Sequence, residues 1–144
     1  MGHPKAKWIL AMLRVSPLDR IHIMKALFLF GKRVAEIPNF FRFEPYLYGP
    51  CSFEVYEVLE ILEKDGLVIR PLHPIPQWVA YYLTDRGKKE AERAAKDISP
   101  ELLQRLEEVT REVSRLGFYE LLKRVYKEAP EFAINSALRE VLKE

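Results

Sequence analysis

Cys51 is the lone cysteine of the chain, and it stands just before a stretch patterned as a helix. A thiol at a helix N-terminus can have its pKa lowered, the starting point for nucleophilic chemistry. No histidine lies near it in sequence to act as a base, so a buried apolar thiol is the expected role. His3, His22 and His73 have no metal-ligand spacing. A phosphate-cradling glycine loop, His-Glu-x-x-His and Gly-x-Ser-x-Gly are all absent from the sequence. The expectation is therefore a non-enzymatic protein with no cofactor and no metal.

The chemistry left to consider is that of charge. The chain has a net charge of +2, unevenly spread. Residues 1–50 sum to +5 and residues 51–66 to −4. Residues 67–100 sum to +2 and residues 101–144 to −1. Lys32, Arg33, Arg42, Arg70, His73, Arg86, Lys88 and Lys89 are candidate contacts to nucleic-acid phosphates. Lys32 and Arg33 also end a predicted helix, where cations complement its dipole. Glu57 and Glu60, within a run that also holds Glu54, Glu63 and Asp65, are candidates for meeting a basic protein partner. Phe40, Phe41, Phe43, Tyr46 and Tyr48 could stack on bases, but packing beneath a loop is the simpler expectation.

These groups need elements to hold them. Trp8, Ile9, Met12 and Leu13 predict a first helix over 5–14. Ser16 before Pro17 predicts the start of a second, to about residue 34, apolar on most sides and so central to the core. Pro38 and Asn39 break it, an extended aromatic segment follows, and Gly49-Pro50 is read as the turn. Ser52 then caps a third helix with Val55, Val58, Leu59 and Leu62 on one stripe, stopped by Gly66. Alternation over 67–72 and 78–83 predicts two strands joined by a wide loop containing His73. Thr84 caps a helix over 85–96, and Ser99-Pro100 opens another.

Leu102, Leu106, Val109, Val113 and Leu116 recur at heptad spacing on that last helix. Such a seam is read as pairing two copies in a homodimer, with packing within the chain as the alternative. Two more helices, over 118–129 and 131–142, are expected around Pro130.

Helix, stop, hairpin and capped helix describe a winged helix-turn-helix, mostly α with a small β-hairpin wing. It spans residues 5–97 and precedes a C-terminal helical region, 98–144. The third helix takes the recognition position, yet its carboxylates would be repelled by phosphates. Two functions stay open. One is a DNA-associated transcriptional regulator touching double-stranded DNA through the end of the second helix and the wing. The other is a non-enzymatic protein-interaction module using the acidic helix.

Three segments resemble a known family. Met24-Lys25-Ala26-Leu27-Phe28-Leu29-Phe30 is similar to its lysine followed by an apolar-aromatic run. Tyr48-Gly49-Pro50-Cys51-Ser52 resembles its Tyr-Gly-Pro-x-Ser signature, and Leu83-Thr84-Asp85-Arg86-Gly87 matches a strand-to-helix junction found in many winged helices. The chain looks like winged-helix proteins of the YwgA type and, more distantly, the Panacea (SocA-like antitoxin) domain, over roughly residues 18–95. The resemblance implies the fold and a regulatory or toxin-neutralising role, with no catalytic residues.

The lone cysteine fits a reducing cytosol, and no apolar run approaches the ~20 residues of a membrane span. A secretory leader is not expected. Asn and Gln occur twice each amid abundant Glu, Lys and Arg, a bias common in thermophile proteins.

Overall fold

A computed structural model describes residues 2–34, 36–72, 74–75 and 79–133. Six helices carry most of these residues: α1 (Ala6–Val15), α2 (Arg20–Arg33), α3 (Phe53–Lys64), α4 (Asp85–Lys96), α5 (Pro100–Ser114) and α6 (Phe118–Glu128). Two short antiparallel ribbons complete them. One pairs β1 (Glu44–Tyr46) with β2 (Gly49–Cys51), the other β3 (Val68–Ile69) with β4 (Tyr82–Leu83). The protein is thus mostly α with a small β component. No helix among the described residues is long and apolar enough to cross a membrane.

The core forms around α2, in which every residue from Ile23 to Phe30 is buried. Leaving such side chains in water would cost about 1.5–3 kcal/mol each, so a helix apolar all round must be covered on several sides. α1 packs along α4 and α5, and α2 against α5 and α6. A single cluster of buried residues runs from Ala6 to Ala129. The helices after residue 98 therefore share one core with those before it.

The heptad seam of α5 is consumed in that core. Leu106, Val109 and Val113 are buried within the chain, and Leu102 and Leu116 pack against the same cluster. A dimer seam built from these five residues would require the core to open. The five residues expected to pair two copies instead pack α5 onto its own chain, because spacing shows an apolar stripe but not what covers it.

Several local expectations change. α2 begins at Arg20, capped by Asp19, whose side chain accepts from the His22 backbone N–H. Ser16 follows α1 instead, and Leu18 is drawn out to accept a 2.8 Å hydrogen bond from the Tyr81 N–H. His22 holds this helix start to the far end of α5. Its Nδ1 lies 2.9 Å from Asp19 Oδ1 and its Nε2 2.7 Å from the Leu116 carbonyl oxygen. Burial opposes charge on the ring, but two acceptors call for two N–H donors, and the net pKa is raised.

Gly49-Pro50 is not a turn but part of β2; the reversal falls at Leu47-Tyr48. The strands of the second ribbon are two residues each, far shorter than the alternation suggests. Tyr81 continues β4 by pairing with Leu18. Pro71 lacks the N–H to extend β3. His73 lies outside the described residues. So does most of the helix expected over 131–142, of which only a 3-10 turn at Pro130–Ala133 is described.

Gly66 does end α3. Its φ is 73°, and the Gly66 and Leu67 N–H groups bond back to Glu63 and Leu62 in a Schellman pattern. Thr84 locks the next junction. Its hydroxyl donates to the Gly66 carbonyl at 2.7 Å and accepts from the Gly87 N–H at 3.0 Å. A Cβ on Gly87 would stand 1.9 Å from the Leu67 carbonyl oxygen, so the fourth residue of this cap must be glycine.

Candidate functional site

Lys25 is the one charged residue in the buried stretch of α2, 5% exposed. Its Nζ donates to the Pro50 carbonyl at 3.1 Å, across 25 residues of sequence. Beside it, the Ser52 N–H faces Met24 Sδ at 3.2 Å. Ser52 occupies the N-cap of α3 but makes no side-chain cap bond there, because it is buried against α2. The Met24-Lys25 and Tyr-Gly-Pro-Cys-Ser segments therefore meet in space. Gly49 sits in the same junction with φ +89°, and a Cβ there would come 2.9 Å from Tyr126 Cε1.

Burial pushes the Lys25 ammonium down to about 8, with the Cys51 thiol acting the other way. Burial likewise raises the Cys51 thiol, more than Lys25 lowers it. The thiol is thus protonated at neutral pH and is no activated nucleophile. This junction fixes the β1–β2 ribbon and the start of α3 against α2. The signal in the sequence was a lysine amid eight otherwise apolar residues.

What the junction presents outward is an aromatic and acidic face. Phe53, Glu57, Glu60 and Lys64 lie along the exposed side of α3 at spacings of four, three and four, opposite its buried stripe. Phe53 is 60% exposed and meets the exposed Tyr46 edge-on at 5.6 Å. Leu47, at the tip of the ribbon, is also exposed. On the ribbon's other flank Tyr48 meets Phe118, and Phe118 meets Tyr119. Glu54 is engaged by Lys5 at 2.7 Å and Glu63 by Arg70 at 3.3 Å. Glu57 and Glu60 are exposed and make no ion pair among the described residues.

The basic candidates do not form one surface. Arg33 is held by Glu112 and Glu128 in a bridge linking α2 to α5 and α6. Arg70 lies over the Tyr81 ring and pairs with Glu63. Lys32 is 3.6 Å from Glu131. Arg86 donates to the Asp65 carbonyl at the C-terminal end of α3. Arg42 borders Phe53 and Glu54 at the opposite end of that helix. Twelve helical residues separate these ends, a span of about 18 Å, with Glu57 and Glu60 between. Lys88 and Lys89 are exposed on α4 and make no ion pair among the described residues.

No cluster of three or more His, Cys, Asp or Glu disposed to hold a metal occurs among the described residues. Comparison of the chain with protein-family models, with curated proteins and with solved structures finds no match.

Proposed function

We propose that this chain is a winged-helix binding module without catalytic activity, whose contact face is α3 with the β1–β2 ribbon and whose partner is a basic protein segment. The order α3, Gly66 stop, β3–β4 ribbon, capped α4 supports the winged-helix reading. The observation that carries the function is the exposed stripe of Phe53, Glu57 and Glu60 beside Tyr46. Aromatic side chains are the usual energetic anchors of protein interfaces. Unpaired carboxylates beside them steer a cationic partner and repel a polyanion. A regulator or a toxin-neutralising protein would both use such a face.

A photo-crosslinking residue placed at position 53 in the native host tests this reading. Crosslinks to a protein carrying a Lys/Arg-rich segment are expected, and they should vanish in Glu57→Lys/Glu60→Lys. Both glutamates are exposed, so that variant should keep its stability within about 0.5 kcal/mol. Crosslinks that persist unchanged in the charge-reversed variant would sink the proposal.

Lys88 and Lys89, exposed beside Arg86 at the start of α4, favour a second reading, a DNA-associated regulator that docks by phosphate contacts alone. Anisotropy titration with random duplex DNA distinguishes it. Each phosphate contact steepens the fall of affinity with salt, and Lys88→Glu/Lys89→Glu should flatten that slope.

A further inference from the structure

Rings of Phe28, Phe40, Phe41, Phe43 and Phe132 line a pocket of about 340 Å3. They come from α2, from the segment leading to β1, and from the turn after α6. The volume falls in the range of small-molecule sites, roughly 300–1,000 Å3. Phe28 meets Phe43 at 5.4 Å and Phe132 at 4.8 Å, both edge-on, the packing aromatic walls also offer an aromatic guest.

Three further features mark the pocket. Gly31 forms part of its wall, and a Cβ there would stand 2.9 Å from Phe40 Cε2, so its shape depends on a missing side chain. Ile37, also in the wall, is bracketed by two non-glycine residues with left-handed backbones, Glu36 at φ 51° and Asn39 at φ 53°. Asn tolerates that conformation; Glu36 is the strained one, and such strain clusters at ligand clamps. Lys32 is the sole charged residue among the described residues lining the pocket. It is 45% exposed, and its Nζ is 3.6 Å from the Glu131 carboxylate, a loose pair that leaves donors to spare.

We propose that this pocket binds a small aromatic carboxylate, its ring among the phenylalanines and its carboxylate on Lys32 Nζ. The site is separate from the α3 face and stands whether or not that face binds protein. It gives the fold a place for an effector.

Trp8 is a built-in reporter, since its ring lies 5.5 Å from Phe40. The chain has two tryptophans, so a Trp78→Phe background isolates Trp8. The probes are phenylacetate and its neutral counterpart phenylacetamide. Phenylacetate should give a saturable change in Trp8 emission with a Kd of about 1 mM or tighter, and the amide should bind more weakly. Lys32→Ala should weaken phenylacetate by about three- to fivefold, and Glu131→Gln should tighten it. Neither should alter the amide. Gly31→Ala should push the Phe40 ring into the pocket and weaken both probes.

If Gly31→Ala loses the native circular dichroism, Ile37→Phe, also in the wall, fills the space instead without adding a tryptophan. No saturation with either probe, or affinities indifferent to both pocket-filling variants, overturns the site. Equal affinity for the two probes, or no response to Lys32→Ala, overturns the assignment of a carboxylate ligand.

Discussion

Replacing Arg33 by Met distinguishes a structural arginine from a phosphate contact. The Arg33 guanidinium donates to both oxygens of Glu112 at 2.8 and 2.9 Å and also to Glu128. Hydrogen bonding to Arg33 is the largest reason that the Glu112 carboxyl falls from 4.5 to about 2; burial opposes it, and Arg124 adds to it. In a dry site that depression corresponds to about 3 kcal/mol of stability. Solvent reaches 30% of the Glu112 side chain, and screening reduces the contribution to roughly 1–2 kcal/mol. Because the folded pKa is depressed, the contribution is complete above pH 4.5 and lost as pH falls toward 2. Met keeps the apolar stem of the arginine, so the substitution removes charge and hydrogen bonds without opening a cavity. Arg33→Met should therefore cost about 1–2 kcal/mol at pH 7, a fall in Tm of roughly 3–8 °C. Urea unfolding is the assay, since guanidinium chloride would screen the charges under test. At pH 2.5, just above the folded pKa of Glu112, the gap between wild type and variant should shrink to about a quarter of its pH 7 value. Equal stabilities at pH 7, or a gap at pH 2.5 as large as at pH 7, would refute the argument. A stable variant with weakened, salt-sensitive DNA binding would return Arg33 to the surface role its position in the sequence suggests.

Gly87→Ala should cost about 2–4 kcal/mol in the same assay, because its Cβ would collide with the Leu67 carbonyl, which the Thr84 junction holds in place. Gly66→Ala, strained only by its φ of 73°, should cost about 1 kcal/mol, and the reverse order would contradict the packing described. Lys25→Met should stabilise the protein by about 1–2 kcal/mol at pH 7, the relief of a buried ammonium outweighing the lost bond to Pro50. The Lys25 pKa falls from 10.5 to about 8 on folding. The unfolded chain therefore binds the extra proton between those values, and wild-type stability should rise relative to that of Lys25→Met from pH 8 to 10.5. The raised Cys51 thiol titrates in both proteins over that window, and a stability difference that stays constant across it would exclude Lys25.

Local signals suffice where one residue decides the outcome. Gly66, Thr84 and Ser99 each act within three or four residues of the backbone they cap, so their roles follow from residue type and spacing. Ser16 and Ser52 show the limit of such reasoning. Either could cap a helix, but Asp19 holds α2 while Leu18 is used by Tyr81, and Ser52 is buried against Met24. Gly-Pro is a turn signal in isolation, and only the pairing of Gly49 with Tyr46 and of Cys51 with Glu44 makes it a strand.

The site divides along the same line. Residue order alone set the acidic run on one helix, the apolar stripe beneath it and the glycine stop, because these depend on the helical period and on φ. Which charges stay free was decided by tertiary packing. Arg33 and Arg70 are equal in sequence to Arg42, yet carboxylates from α5, α6 and α3 reach the first two. The α5 seam was visible as a stripe, but only the fold turned it inward. An apolar stripe or a basic residue states what it needs, burial or a counter-charge. Which neighbour supplies it depends on contacts made across 79 and 95 residues of chain, and no local pattern encodes them.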